Sequence, residues 1–272
     1  MDLKTAEHIE EQLSLENKVT LDELVRAVTL SDGFTLYFAK CNVPSLRRAI
    51  AAEATDILRA EGVTVFEVEL PDEPFHLRRL LREHLPAISA MEGKATLFLY
   101  GLENAMPSDD PNLNLLAELN MGRELFPQDA PYPLVFWLPD FAITLIAKEA
   151  PDFWAWRSGV FDFRTEQSYL TEALSIFGQE IEATLSASAT TRHQMLKRVN
   201  ILENLLTDYD ELEPTSDAPA QRAELLFRLA TLHRLLSNYP QAKQLYEESL
   251  SITSEYGLSV ASMSNLIGLG LM

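Results

Sequence analysis

Between Phe34 and Phe163 the sequence switches repeatedly from a short, almost unbroken apolar run to a longer amphipathic one. The apolar runs are "FTLYFAK", "VTVFEVEL", "ATLFLYGL", "YPLVFWLP" and "GVFDF". A strand with one wet face alternates apolar and polar residues, whereas a strand covered on both faces does not. Between these runs lie "PSLRRAIAAEATDILRAEG", "FHLRRLLREHL", "NLNLLAELNMGREL" and "FAITLIAKEA", each with helical periodicity. The first of them has Pro44 in its opening turn and Gly62 as its stop. Strands that alternate with crossover helices predict an α/β fold, a five-stranded parallel sheet covered on both faces.

The flanks read differently. Residues 5–32 predict two helices, the second opening at Thr20 with Glu23 in capping-box spacing and ending at "SDG". Beyond Arg164 every segment is helical: "EQSYLTEALSIFGQEIEATL" and "TTRHQMLKRVNILENLLTDYDEL" pair, and the acidic linker "EPTSDAPA" follows. The expected organisation is therefore N-terminal helices over 1–32, an α/β domain over 33–165, a helical pair over 166–213 and a repeat region over 220–272.

After the linker, Ala223 to Ile252 reads "AELLFRLATLHRLLSNYPQAKQLYEESLSI" and resembles a tetratricopeptide repeat. Leu226, Leu229, Ala230 and His233 take the packing positions of its first helix, Tyr239 its turn, and Ala242, Tyr246 and Ser249 the face of its second. Ala230, Ala242 and Ser249 carry the match, because two helices approach closely only where the facing side chains are small. One such repeat cannot bury both faces. The tail "SVASMSNLIGLGLM" reads as the first helix of another repeat, which implies a longer array or an end that docks on a partner.

Composition sets limits on partners and location. With 22 basic and 41 acidic residues, a formal net charge of −19, the chain is expected to repel nucleic acid and anionic membrane. A single cysteine, Cys41, excludes an internal disulfide and a cysteine-rich zinc site, and fits a reducing compartment. The N-terminus has neither a basic n-region nor an apolar h-region, and no apolar run approaches the roughly 20 residues of a membrane span. A cytoplasmic location is expected. The histidines (His8, His76, His84, His193, His233) show no ligand spacing, so no metal site is read.

"LYFAKCNVPSLRRAI" places a strand, a loop and a basic helix where a phosphate loop would sit. A working loop needs glycines that let consecutive amides point at phosphate, then a lysine and a hydroxyl for charge and magnesium. Here no glycine is present and Pro44 removes an amide. "LFLYGLENA" offers Glu103, not an aspartate, near the third strand's tip, so magnesium-dependent hydrolysis is not expected. Lys40, Asn42, Arg47, Arg48, Glu103 and Arg157 remain as a candidate anion or nucleotide site, with ATP or ADP as its candidate ligand; otherwise no cofactor is expected. Cys41 and Arg47 also stand at C-x5-R spacing, the arrangement of a thiolate phosphatase, with Asp140 as a possible general acid. The structural alternative has Asn42 or Val43 capping the helix, Pro44 starting it, and the arginines paired with acidic neighbours. The cluster Phe153, Trp154, Trp156, Phe161 and Phe163 reads as core, with Arg157 facing a buried carboxylate or sensing phosphate.

Taken with "PLVFWLPDFAITLIAKEAPDFWAWRSGVFDF", these stretches resemble the degenerate AAA-like domains, related to the STAND class of P-loop NTPases, that precede tetratricopeptide repeats in many bacterial proteins. The resemblance spans residues 33–164 and implies strand order 5-1-4-3-2 with the slot at the sheet's centre. STAND proteins are switches in which nucleotide clamps the fold and repeats sense a partner. The departure at both nucleotide motifs leaves a pseudo-NTPase with no catalytic residues. The expected role is a protein-binding scaffold or sensor in a bacterial signalling or defence-type assembly, acting through its repeat helices. A nucleotide-regulated switch without efficient hydrolysis is the alternative, and the phosphatase a third.

Overall fold

A computed structural model describes residues 13–71, 75–89, 93–106, 115–166, 169, 192–211 and 218–270. The chain divides into two units, one ending at Arg164 and the other beginning at Thr165. The first of the expected N-terminal helices, the loop before the third crossover helix and nearly all of the first helix after Arg164 lie outside the described residues.

In the first unit the strands are β1 (Thr35–Lys40), β2 (Val63–Glu69), β3 (Lys94–Tyr100), β4 (Pro133–Leu138) and β5 (Arg157–Asp162). The helices are α1 (Leu15–Leu30), α2 (Pro44–Ala60), α3 (Leu77–Ser89), α4 (Leu115–Gly122), the single turn α5 (Phe126–Asp129), α6 (Asp140–Glu149) and the short α7 (Pro151–Ala155). All strand pairs are parallel and the sheet runs β2-β3-β4-β1-β5, which from the other edge is 5-1-4-3-2. This is a five-stranded parallel α/β sheet of the P-loop-like kind.

Strand alternation sorts the core into two layers. Leu36, Phe38, Leu97, Leu99, Leu134, Phe136 and Leu138 face one way and pack with Leu77 and Leu81 of α3, Leu119 of α4, Phe126, Ile146 of α6 and Phe153 of α7. Tyr37, Ala39, Phe98, Tyr100, Val135 and Trp137 alternate with them, and α1 and α2 bring buried Leu21, Leu24, Leu46, Ile50 and Leu58 to the unit's core. The inner strands β1, β3 and β4 are buried on both faces because each face has a helical cover. Against the expectation of cover on both faces throughout, the edge strand β2 alternates with exposed Glu67 and Glu69, and the edge strand β5 is largely exposed.

α1 corrects the capping reading. It begins at Leu15, where the Ser14 side chain accepts the Asn17 amide at 3.2 Å. Thr20 lies inside the helix and donates its hydroxyl to the Glu16 carbonyl, so the Thr20/Glu23 pair caps nothing. Two serine- or threonine-led starts compete within this sequence, and the earlier one, which adds buried Asn17 to the face of Leu21, Leu24 and Val28, prevails.

The second unit has α8 (Arg192–Glu211), α9 (Ala218–Leu235), α10 (Tyr239–Glu255) and α11 (Ser259–Gly270). Leu226, Leu229, Ala230, His233, Ala242, Tyr246 and Ser249 are buried. Tyr239 is not a packing residue: it is 48% exposed at the first position of α10, ahead of Pro240, where a helix start turns outward. A polar chain links three helices: Asn265 Nδ2 donates to Ser249 Oγ at 2.9 Å, and Ser249 donates to the Ala223 carbonyl at 2.7 Å. The Ser249 hydroxyl and the Asn265 Nδ2 so bonded favour one register over slippage, although Asn265 Oδ1 is buried with no hydrogen bond among the described residues.

Candidate functional site

β1 delivers Lys40 to the carboxyl edge of the sheet, flanked by Leu138 of β4 and Asp162 of β5. The loop that follows is short: the Cys41 amide donates to the Leu138 carbonyl, and α2 starts at Pro44 with no side-chain cap. Arg47, one turn into α2, folds back over the loop. Its Nε and Nη2 donate to the Cys41 carbonyl at 3.2 and 2.9 Å, and Nη1 reaches Glu103 Oε1 at 2.7 Å and the Trp137 carbonyl at 3.5 Å.

Glu103 arrives from β3 through a glycine. Gly101 has φ +84°, and a Cβ there would lie 3.2 Å from the Leu70 carbonyl oxygen. The left-handed turn is open to glycine at little steric cost and leads into the short 3-10 turn Leu102–Ala105, on which Glu103 is buried against Arg47. The Trp137 ring lies between those of Tyr100 and Phe163, centroids 6.4 and 5.6 Å away and within 20° of parallel. Burial, with the Glu67 carboxylate beside it, pushes the Tyr100 phenol pKa up. Arg47 and Glu103 are both buried, so the guanidinium sits in a slot closed to solvent.

The remaining candidate residues divide around it. Lys40 is held by Asp162 at 2.8 Å and Asp140 at 3.3 Å. Partial burial pulls its pKa down, but the hydrogen bonds and charges of Asp162 and Asp140 outweigh that, and the net shift is upward. Asn42 does not cap α2; its Oδ1 accepts the Asp140 amide at 2.8 Å and so organises the start of α6. Arg48 is exposed. Arg157 does not join the group. It pairs with Leu36 at the amino end of β5, whereas Asp162 pairs with Lys40 at the carboxyl end, so the sheet's length separates it from the slot. Its guanidinium covers the Trp154 ring at 4.0 Å and donates to the Trp154 carbonyl, with no buried carboxylate involved. Within the aromatic cluster Phe153, Phe161 and Phe163 are buried, while Trp156 is 39% exposed.

The phosphatase arrangement fails on geometry. Cys41 is fully buried with its thiol toward the Val43 carbonyl, and Arg47 grips the cysteine's backbone oxygen instead of standing beside an open thiolate. Among the described residues no group of three or more His, Cys, Asp or Glu could hold a metal ion, and no helix is long and apolar enough to cross a membrane.

Sequence reasoning missed one contact at the end of the first unit. Asn17 Nδ2 donates to the Arg164 carbonyl, and its Oδ1 accepts the Arg164 amide, both at 2.9 Å. The side chain thus mimics a strand neighbour for the residue that ends the first unit. A signal existed: Asn17 shares the helical stripe of Leu21, Leu24 and Val28, where a polar residue needs a partner.

No protein-family model and no curated protein matches the chain. Solved structures similar to it include the Aeropyrum pernix ORC2 protein in ADPNP-ADP complexes, at 11% identity and TM-score 0.39, covering 86% of this chain and 65% of that one. Drosophila ORC bound to DNA is similar at 12% identity and TM-score 0.42, over 90% of this chain and 53% of that one. The Aeropyrum pernix ORC1 protein in complex with DNA is similar at 14% identity and TM-score 0.37, over 80% and 68%. The chain spans less than two thirds of the length of the first two. The fold description rests on the sheet's own order and register. One expectation is corrected here: two of these structures are DNA complexes, so the exclusion of nucleic acid does not stand. Net charge sums the whole chain and does not describe a local surface.

Proposed function

We propose that this protein is a non-catalytic scaffold or sensor, built on an NTPase-like α/β plan, that binds a protein partner through its helical unit. The observation that carries this reading is the buried Arg47–Glu103 pair. It joins the two positions that would otherwise face phosphate and magnesium, and both charges are neutralised within the chain. Lys40, at the start of the loop, is taken by Asp140 and Asp162, and Arg48 is exposed. The tetratricopeptide-like spacing of Ala223 to Ile252, with its small residues buried between α9 and α10, supports the partner-binding half of the proposal. Placement in a bacterial signalling or defence-type assembly follows from the sequence resemblance.

A second reading, a nucleotide-held switch, is favoured by the slot's location. It lies at the carboxyl ends of β1 and of β4, the middle strand of the sheet, where open α/β sheets receive ligands. Calorimetric and thermal titration with ATP, ADP and GTP, with and without magnesium, separates the two. A nucleotide at a hundred times its dissociation constant adds about 2.7 kcal/mol of stability. The scaffold reading expects no heat and no shift at millimolar nucleotide, and partner capture that ignores nucleotide. A saturable shift, or capture that needs ATP, would replace it with the switch.

A further inference from the structure

Every group that Arg47 meets in the slot is an acceptor. The Cys41 carbonyl takes Nε and Nη2 along one edge of the guanidinium, and the Trp137 carbonyl and Glu103 Oε1 take Nη1. Glu103 Oε2 is also buried and makes no hydrogen bond among the described residues. A phosphate site has the opposite polarity, because its backbone amides and cations point inward. Here two carbonyl oxygens and a carboxylate converge on a buried guanidinium, and they match a planar cation with donors on both edges. A compact ammonium offers no such fork.

We propose that the slot is a guanidinium-binding site, filled within the chain by Arg47, and that its ligand class is a guanidinium-bearing side chain or small molecule, not a nucleotide. This rests on the reading of the slot as closed to phosphate. It adds that the slot's surroundings select for a particular cation, so the position left by Arg47 can be refilled from solution.

The experiment is chemical rescue of Arg47→Ala in the full chain, followed by melting temperature. Low-millimolar guanidinium or methylguanidinium should raise the variant's midpoint saturably. Ammonium and sodium at the same ionic strength should not, and the wild type should show no rise with any of them. Adding Glu103→Gln to Arg47→Ala should abolish the rescue while leaving the double variant folded. Equal rescue by ammonium, rescue that survives Glu103→Gln, or no rescue at all would overturn the proposal and leave the scaffold reading standing. Stabilisation of Arg47→Ala by inorganic phosphate or ATP would overturn both. Should Arg47→Ala fail to remain soluble, Arg47→Gln is titrated in its place with the same outcomes.

Discussion

A single arginine reverses the character of a phosphate slot. Arg47 is 7% exposed and Glu103 likewise, so each charge depends on the other for its compensation. Truncating one partner of a buried pair costs about 3–5 kcal/mol, because the survivor stays buried and unpaired. Arg47→Ala should therefore lower the urea midpoint sharply, and the Arg47→Ala/Glu103→Gln double variant should recover part of the loss. A double variant no more stable than Arg47→Ala would mean that the pair is not what holds the slot. Gly101 supplies the other half of the geometry. At φ +84°, with the Leu70 carbonyl close by, Gly101→Ala should cost roughly 1–3 kcal/mol, and its far-UV spectrum should stay native. At this scale the sequence was only partly legible. It showed that the glycine cradle was missing and that Arg47 and Glu103 were the residues to watch. It did not show that they meet, because 56 residues separate them and nothing local aims either side chain. Arg157 was grouped with the slot because an arginine within an aromatic cluster can sense phosphate, and the register of β5 on β1 puts it at the other end of the sheet.

Elements were more legible than contacts, because burial pattern and chain breakers are local properties. The five apolar runs became the five strands, and Gly62 ends its helix in the left-handed conformation that glycine favours. Thr20 misled because a capping signature describes any start, while the buried face decides which start is used. Two helix ends in the second unit provide an internal comparison. After α9 the Asn238 amide bonds back to the His233 carbonyl, and after α10 the Leu258 amide bonds to the Thr253 carbonyl, both at 2.8 Å. The left-handed residue is Ser237 in the first case and Gly257 in the second. Ser237→Gly should thus raise stability by about 0.5–1 kcal/mol and Gly257→Ser should lower it by a similar amount, read from denaturant midpoints. His233 makes the same helix pH-sensitive. Burial lowers its pKa, and Glu203 at 3.9 Å is too distant to reverse that. The fold prefers the neutral ring, so this stability is full above the ordinary value of about 6.5 and is lost as pH falls toward the lowered one. His233→Gln should shrink the loss of stability between about pH 7.5 and pH 5.5; an unchanged acid slope would place the titration elsewhere.

At the scale of the whole molecule, the division after Arg164 yields a test that needs no ligand. The chain has 3 tryptophans, and Trp137, Trp154 and Trp156 all precede Arg164. Trp137 is packed between Tyr100 and Phe163, so its fluorescence reports the α/β core. Every described element after Arg164 is a helix and contributes chiefly to the far-UV signal. Each unit has its own buried core, which is what lets a domain fold as a cooperative body. Coincident transitions by two probes indicate one cooperative unit, and separated ones indicate more. Fluorescence and circular dichroism should give distinct urea transitions for this chain. Arg47→Ala should move the fluorescence midpoint and leave the transition of the helical unit in place, whereas Gly268→Ala should do the reverse. A Cβ at Gly268 would stand 2.5 Å from the buried Tyr246 ring, whose hydroxyl is tied to Thr231, so the ring cannot yield without breaking that bond. Overpacking of this kind costs about 1–3 kcal/mol. Should both variants move both transitions together, the two units unfold as one, and the scaffold reading would have to include coupling between the closed slot and the partner-binding helices.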